Sequence, residues 1–397
     1  MLIRPSPPLH LSYCLNIHRG ESWAETLAAV RENVPRVRAA LARPGPFGLG
    51  MRLSHAAAEE LRRPDALAAF RAYLASEDLY VFTINGFPYG QFHEKRVKES
   101  VYLPDWRDPR RTAYSNALAD ILAALLPEGS MGSISTVPGS YGAWIRNQDD
   151  VARMAEQLAE AVAHLVRLRA AGGRHIELCL EPEPDCFMQT TDDTIAAFNE
   201  LLIPLGAARL RSLTGCGAAQ AEDAMRRHLG VCFDTCHIAL QYEALDESLR
   251  RMLAAGLRVS KIQVSAALRL RATSAAREQL RAFDEPTYLH QVKARSPAGV
   301  VRGYPDLPAA LGAADGSNDD EWRVHFHVPL YFEESGELGS TGASLDEAFF
   351  RTVATARIAH LEVETYTFGV LPESLRSMHV TESIARELRW VMDRLRD

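Results

Sequence analysis

The sequence has few cysteines and no long hydrophobic run. Its 397 residues include six cysteines, and none of them forms a Cys-x-x-Cys pair, so neither a disulfide framework nor a cysteine zinc cluster is expected. No segment approaches the ~20 consecutive apolar residues of a membrane helix, and residues 1–10 lack the apolar core of a signal peptide. We therefore expect a cytoplasmic protein with reduced, buried thiols and no direct membrane insertion.

Positive charge is also scarce. Lysine and arginine together number 44, against 51 aspartates and glutamates, which gives a net charge of −7. A protein that binds nucleic acid needs a basic surface to neutralise phosphates. Nucleic acid is therefore not the expected partner, although a local basic patch is compatible with these totals. The hydrophobic fraction of 47% is typical of a globular chain with a large core and excludes a mainly disordered one.

Short apolar segments alternate with longer amphipathic segments along the whole chain. This alternation predicts an α/β protein, and eight such units predict a (β/α)₈ TIM barrel. A doubly wound nucleotide-binding sheet is disfavoured because no Gly-x-Gly-x-x-Gly turn follows the first strand. The predicted strands are 11–16, 47–53, 79–84, 132–137, 176–180, 230–234, 260–264 and 358–364. The predicted helices are 23–41, 55–76 with a break at Pro64, 111–126, 149–170, 192–202, 218–229, 245–255, 275–281, 345–356 and 381–394.

The chain is longer than a bare barrel, which needs ~250 residues. We predict one domain, residues 1–397, with the surplus in long βα loops after strands three and seven, near 85–110 and 265–320. Residues 322–328 alternate with period two, which predicts an additional strand between the seventh and eighth units.

Polar side chains stand where several predicted strands end. Glu181 follows the fifth strand, Asp234 ends the sixth, Gln263 lies in the seventh and Glu364 ends the eighth. Catalytic groups of such barrels project from the C-terminal ends of the strands, so we expect these four side chains to face one volume. Closely packed carboxylates repel one another, and a divalent cation resolves the repulsion. Oxygen-rich sets suit Mn, Mg or Co, and Zn when histidine contributes more.

Histidines accompany this set. His237 lies three residues after Asp234, and a charged pair at the end of a buried strand is costly without a functional partner. His325 and His327 share one face of the additional strand and are either a ligand pair or ordinary surface residues. Glu183 and Glu362, in contrast, are interpreted as solvated or salt-bridged loop residues.

These strand ends, with the Asp-x-x-His element after the sixth strand, resemble the xylose-isomerase-like barrel superfamily. That superfamily includes sugar isomerases, keto-sugar 3-epimerases and endonuclease IV. The resemblance implies a single metal whose ligands correspond here to Glu181, Asp234, Gln263 and Glu364. The position of Gln263 is usually histidine in the superfamily, and an amide oxygen is a weaker, uncharged ligand.

The same resemblance gives the histidines roles. It implies that His237 contacts the substrate, as in the epimerase-like members. It also implies that His325 and His327 either supply a second metal, as in the two- and three-metal members, or line the pocket without one.

More narrowly, three segments resemble the EboE family, also called metabolite traffic proteins, of bacterial metabolite-export clusters. These segments are 11–18 (LSYCLNIH), 85–93 (NGFPYGQFH) and 97–106, which contains Val97-Lys98 and VYLPDW. Membership would imply pathway partners, a prenyl transferase and cyclase-like proteins, in making or moving a small metabolite.

The loop after the third predicted strand is rich in aromatic residues. Aromatic walls with a few polar groups suit a sugar or cyclitol, whose C–H faces stack and whose hydroxyls need partners. The alternative is a lid packed on the barrel rim for stability. The residues that we expect to bind the substrate are Asn85, Phe87, Tyr89, His93, Lys98 and Trp106.

Three functions are compatible with the sequence. The first is a metal-dependent isomerase or epimerase for a polyhydroxylated carbonyl compound, in which Glu181 and Glu364 transfer a proton and His237 polarises a substrate oxygen. The second is a metabolite carrier without catalytic activity on the same scaffold. The third is an endonuclease IV-like phosphodiesterase, which the acidic balance and Gln263 disfavour. The substrate, the metal and a homo-oligomeric state stay open.

Overall fold

The computed structural model describes residues 1–93, 97–313, 317–373, 376 and 378–396. Residues 94–96 and 314–316, within the two predicted insertions, lie outside this range. The strands, in chain order, are β1 Leu2–Pro5, β2 Pro8–Tyr13, β3 Phe47–Arg52, β4 Leu79–Asn85, β5 Met131–Thr136, β6 His175–Leu180, β7 Leu229–Asp234, β8 Val259–Val264, β9 Ala267–Arg271, β10 Val292–Arg295, β11 Val301–Tyr304, β12 Glu321–His327, β13 Glu334–Ser335, β14 Leu338–Ser340 and β15 His360–Val363.

Helices connect most of the barrel strands. They are α1 Trp23–Leu41, α2 His55–Leu61, α3 Pro64–Ser76, α4 Pro109–Leu125, α5 Gln148–Gly172, α6 Thr191–Ala196, α7 Ile203–Thr214, α8 Ala218–His228, α9 Thr235–Leu240, α10 Leu245–Ala254, α11 Ser274–Leu280, α12 Leu307–Gly312, α13 Glu347–Thr355 and α14 Val380–Arg394. Among the described residues, none of these helices combines the length and the hydrophobicity that crossing a bilayer requires.

The first sheet curls into a nearly closed barrel. Its order is β1-β2-β15-β8-β7-β6-β5-β4-β3; β1 pairs antiparallel with β2, and every other pair is parallel. The barrel closes between the end of β2 and β3 through a parallel bridge between Cys14, which follows β2, and Gly50 in β3. The Ser12 hydroxyl adds to this seam, since it donates to Gly48 O at 2.8 Å and accepts from Gly50 N–H at 3.0 Å. The predicted α/β class and (β/α)₈ barrel are confirmed.

Local signals explain most of the helix boundaries. Ser22 and Glu25 form a capping box that starts α1 where predicted, and Pro64 begins α3 after the break in 55–76. The prediction for 192–202 was too short, because a π-helical turn, Ala197–Leu202, joins α6 to α7. Helices α9 and α12 were not predicted.

The segment 265–320 is not the long loop that we predicted. It contributes three strands to a second, antiparallel sheet with the order β11-β10-β12-β9-β14-β13. Strand β12, which was predicted, pairs with β9 and β10, and Val328 N–H donates to Ala266 O at 2.9 Å just beyond β8. The second sheet therefore brings the end of β12 to the C-terminal end of the barrel strands.

The barrel interior contains a buried ion pair. Lys261 Nζ lies 2.5 Å from Glu362 Oε2, and both side chains are fully buried. A Cβ atom on Gly50 would lie 1.7 Å from Glu362 Oε1, so the glycine leaves the space that this carboxylate fills. Glu362 is thus a salt-bridged interior residue, and its interpretation as a loop residue is corrected.

Candidate metal centre and cavity

Three carboxylates meet at the C-terminal ends of the barrel strands. Glu181 follows β6, Asp234 ends β7 and Glu364 follows β15. One oxygen atom from each lies within 4.8 Å of those of the other two, and all three side chains are buried. Burial raises the pKa of Glu181 and of Glu364 well above the ordinary value, and the neighbouring carboxylates raise both further. Without a cation, this cluster resists being fully ionised.

Asp234 is the carboxylate that the surroundings stabilise as an anion. Its Oδ1 accepts from Cys236 N–H at 2.7 Å, from His237 N–H at 3.3 Å and from Ser265 Oγ at 2.6 Å, so it caps helix α9. Burial opposes its ionisation, yet the pKa lies below the ordinary value because His237, His327 and these hydrogen bonds favour the charged form.

Three histidines surround the carboxylates, and each has its Nδ1 atom committed to an acceptor. His237 Nδ1 lies 2.9 Å from Pro182 O, and His327 Nδ1 lies 2.8 Å from Glu364 O. A carbonyl oxygen can only accept a hydrogen bond, so both Nδ1 atoms carry hydrogen. In the neutral ring, Nε2 is then a lone pair, which is the form in which histidine binds a metal.

The third histidine, His325, also donates through Nδ1, and its acceptor is the side chain of Gln291. Gln291 Nε2 donates to Pro184 O at 3.2 Å, which fixes Gln291 Oε1 as the acceptor from His325 Nδ1 at 2.7 Å. The Nε2 atoms of His325 and His237 then face each other at 3.1 Å. Burial lowers the pKa of His325 well below the ordinary value and that of His327 to about 4. Two lone pairs this close require either a shared proton or a cation.

Several buried acceptor atoms around this volume have no hydrogen-bond partner among the described residues. They are Glu181 Oε2, Glu183 Oε2, Asp234 Oδ2 and His327 Nε2. Unsatisfied buried acceptors are costly, and a divalent cation satisfies carboxylate oxygens and imidazole nitrogens together. The residues present therefore fit such an ion, with Glu181, Asp234 and Glu364 as one set and Asp234, His237 and His327 as an overlapping set.

Glu183 also belongs to the site, which corrects its interpretation as a loop residue. Its Oε1 accepts from Tyr102 Oη at 2.9 Å, and it forms a further potential ligand group with His237 and His325. Burial raises the pKa of Glu183 to about 7. The signal in the sequence was its position two residues after Glu181.

Gln263 does not direct its carbonyl oxygen into the cluster as expected. Its Oε1 accepts from the Cys232 thiol at 3.0 Å, while its Nε2 has no partner within the described part of the chain. His327 from β12 joins Asp234 and His237 instead. A histidine from the second sheet thus stands beside Asp234, where the seventh barrel strand lacks one.

A cavity opens above the cluster, with about 540 Å³ of empty space when the solvent at its opening is included. Of the predicted substrate-binding residues, Asn85, Phe87 and Lys98 line it. The Lys98 ammonium group is paired with Asp306 Oδ2 at 2.7 Å. The remaining lining residues are Asn16, Pro88, Phe92, Val97, Val101, Tyr102, Glu181, Glu183, His237, Tyr288, Leu289, His325, Glu364 and Tyr366.

Three predicted substrate-binding residues lie outside this cavity. Tyr89 and His93 line a separate surface pocket. Tyr89 O accepts from His55 N–H at 2.8 Å and the Tyr89 ring stacks on His55, while His93 Nε2 lies 2.8 Å from Asn16 O. Trp106 is fully buried, and its backbone N–H donates to Gly139 O at 3.0 Å. Sequence reasoning did not find Asn16, whose Nδ2 donates to Glu364 Oε1 at 2.8 Å.

Comparisons with known proteins add little to this geometry. No family model matches the chain, and no curated protein matches it. One similar solved structure is the probable 3-DHS dehydratase AsbF, involved in petrobactin synthesis in Bacillus anthracis, at 12% identity and a TM-score of 0.47, covering 96% of this chain and 98% of that one.

Two other solved structures are similar to the same degree. The IolI protein with a bound zinc atom has 12% identity and a TM-score of 0.48, covering 98% of each chain. Endonuclease IV from Thermus thermophilus has 17% identity and a TM-score of 0.43, covering 97% of this chain and 98% of that one. Likenesses this distant assign neither a family nor an activity, so the resemblance to the EboE family stays a prediction.

Proposed function

We propose that the protein is a metal-dependent isomerase or epimerase of the xylose-isomerase-like superfamily. Its substrate is a small polyhydroxylated carbonyl compound, such as a sugar or cyclitol, in a pathway that makes or exports a metabolite. The observation that carries this proposal is the pair Glu181 and Glu364, two buried carboxylates of raised pKa beside histidine lone pairs at the floor of one cavity.

The metal ligands in this proposal are Glu181, Asp234 and Glu364, with His237, His325 and His327 adjacent as further nitrogen donors. A bound divalent cation would supply a Lewis acid that polarises the carbonyl and the neighbouring hydroxyl of the substrate. Mn, Mg, Co and Zn are all consistent with mixed oxygen and nitrogen donors, and the close approach of the histidines favours Zn or Mn over Mg.

The protein's own groups transfer the proton. One of the two glutamates takes the hydrogen from the carbon next to the carbonyl, and the other returns one. Asn16 Nδ2 and Asn85 Nδ2 donate to Glu364 Oε1 at 2.8 and 3.0 Å and fix the direction of that carboxylate. His237 donates through Nδ1 to Pro182 O, so its Nε2 lone pair can accept a hydrogen bond from a substrate hydroxyl.

Hydrogen exchange tests this proposal with a panel of candidate substrates. Ketoses, aldoses and cyclic polyol ketones are incubated with the metal-loaded protein in D₂O, and deuterium at the α-carbon is followed by NMR. We expect incorporation with at least one compound, and a loss of about 10²–10⁴-fold in Glu364→Gln. The matched control is Glu247→Gln, at an exposed position on α10, which should exchange like the wild type.

Two results would contradict the proposal. Full exchange in Glu364→Gln with an intact fold would exclude the two-carboxylate mechanism. Tight ligand binding without exchange in any variant would favour a carrier without catalytic activity.

A phosphodiesterase is the second candidate, because three histidines and four carboxylates form overlapping potential metal-binding groups. Against it, Lys98 is the sole lysine or arginine among the described cavity-lining residues, and it is paired with Asp306. Metal-dependent nicking of a plasmid by the wild type, and its loss in His325→Ala, would favour this candidate.

A further inference from the structure

The cavity has two chemically different parts, which we name the floor and the mouth. The floor is polar and consists of Asn16, Asn85, Glu181, Glu183, His237, His325 and Glu364. The mouth consists of Phe87, Pro88, Phe92, Val97, Lys98, Val101, Tyr102, Tyr288, Leu289 and Tyr366. Aromatic faces can stack on a sugar, but its hydroxyls need hydrogen-bond partners, and most of the polar lining side chains belong to the floor.

Two polar groups of the mouth are already committed elsewhere. The Lys98 ammonium group is paired with Asp306 at 2.7 Å, and the Tyr102 hydroxyl donates to Glu183 at 2.9 Å. Within the described residues of the mouth, the hydroxyls of Tyr288 and Tyr366 are the other side-chain polar groups. A ligand hydroxyl placed between Val97, Val101 and Leu289 would therefore lose its hydrogen bonds to water without replacement.

The apolar walls are held together before any ligand binds. The rings of Phe92, Tyr288 and Tyr366 contact one another, with centroids 5.1 to 5.3 Å apart. Next to this cluster, Val97 N–H and Lys98 N–H both donate to Thr287 O, at 2.8 and 3.2 Å. These bonds join the loop after β4 to the segment that carries Tyr288 and Leu289. Because these walls are already ordered, an apolar group binds to them without the entropic cost of ordering their side chains.

We propose that the substrate is amphiphilic: an oxygen-rich end lies on the floor, and a hydrocarbon substituent lies in the mouth. The assignment of the oxygen-rich end depends on the proposed function, whereas the assignment of the apolar end depends on the mouth alone. A free sugar or polyol then binds through its polar end alone, and the same polar group with an aliphatic or aromatic substituent binds more tightly.

Three hydroxamic acids with one metal-binding head and different tails test this inference. They are acetohydroxamic, hexanohydroxamic and gluconohydroxamic acid; the last two have six-carbon chains, of which one is aliphatic and one is hydroxylated. Calorimetry on the metal-loaded protein gives each Kd. Each buried CH₂ contributes about fourfold in affinity. We therefore expect the hexanoyl compound to bind at least tenfold more tightly than both others.

A pair of leucine variants locates the effect. Leu289→Asn makes the mouth polar and should remove most of the advantage of the hexanoyl tail while leaving acetohydroxamate binding unchanged. The matched control is Leu205→Asn, at an exposed leucine on α7, which should bind all three compounds like the wild type. Equal affinities for the hexanoyl and gluconoyl compounds, or tighter gluconoyl binding, would overturn the inference.

The two proposals fail separately. If the protein holds no metal, the proposed function fails. The affinities of 1-hexanol and 1,2,6-hexanetriol then compare an aliphatic with a hydroxylated chain without a metal-binding head. Tighter binding of 1-hexanol, weakened in Leu289→Asn, would support the apolar mouth. No binding of 1-hexanol, or equal binding of the two alcohols, would overturn it.

Discussion

Each histidine at the end of the barrel donates its Nδ1 hydrogen to an oxygen, and this bond decides what the ring offers to the site. For His237 and His327 the acceptor is a backbone carbonyl, which no substitution of a side chain removes. For His325 the acceptor is the side chain of Gln291. Gln291 is therefore a positioning residue whose role is testable by substitution.

Gln291→Leu should weaken metal binding about 10–100-fold, as is typical when a partner that orients a ligand is lost. Without the acceptor, His325 is free to place its hydrogen on Nε2 and to rotate. The measurement is competition with a chromophoric chelator, accompanied by thermal unfolding of the metal-free protein to exclude a fold defect.

The control for this substitution is Gln148→Leu, at an exposed glutamine that begins α5. It should bind metal like the wild type. Unchanged metal affinity in Gln291→Leu would show that His325 does not contribute to the centre.

The candidate site was partly predictable at the residue scale. Glu181, Asp234 and Glu364 were found because strand ends are local features and parallel barrel strands end at one face. The orientation of Gln263 could not be predicted, because it depends on the Cys232 thiol of the neighbouring strand. The path of the loop after β4 could not be predicted either, since a hydrogen bond from His55 N–H to Tyr89 O holds Tyr89 away from the cavity.

Helix α14 is joined to the functional end of the barrel by one buried carboxyl group. Glu387 Oε1 accepts from Leu330 N–H at 3.0 Å, beyond β12, and from Thr365 Oγ1 at 2.7 Å, beyond β15. Burial raises the pKa of Glu387 from 4.5 to about 7. The helix thus contributes an interaction whose strength depends on pH.

Glu387 should make the free energy of unfolding decrease as pH rises. The pKa of Glu387 is higher in the folded than in the unfolded protein, so its contribution to the free energy of unfolding is complete below about pH 4.5. Between there and about pH 7 the free energy of unfolding falls by up to ~3 kcal/mol. Glu387→Gln cannot ionise, so its unfolding free energy should vary less across this window. Urea unfolding of chelator-treated protein at several pH values measures the difference.

Glu382→Gln, at an exposed residue of the same helix, is the control and should keep the slope of the wild type. If Glu387→Gln also kept that slope, Glu387 would have to titrate normally in the folded state.

The strands and helices of the barrel were largely predictable from the sequence. Each strand is a short apolar run between turn residues, and α1 has both its capping residues in place. The second sheet was not predictable as a sheet, because β9 pairs with β12 across about fifty residues and such pairing leaves no local signal. Of the strands in this sheet, β12 alone was predicted, because apolar and polar residues alternate along 322–328.

The whole molecule combines two sheets at one centre. The barrel contributes carboxylates from β6, β7 and the end of β15, and the second sheet contributes His325 and His327. The acidic cluster within the barrel accounts for part of the net negative charge, and a bound cation would offset it. Metal binding should therefore couple the two sheets and stabilise the folded chain as a unit.

Metal content is the most direct test of this account. The purified protein is dialysed against Zn or Mn and then against metal-free buffer, and the metal per chain is measured by mass spectrometry beside Asp234→Asn. We expect about one ion or more per chain in the wild type, a higher Tm than after chelation, and loss of both in Asp234→Asn. A wild-type protein that retains neither metal, with a Tm unaffected by either ion, would contradict the central claim that these residues form a metal centre.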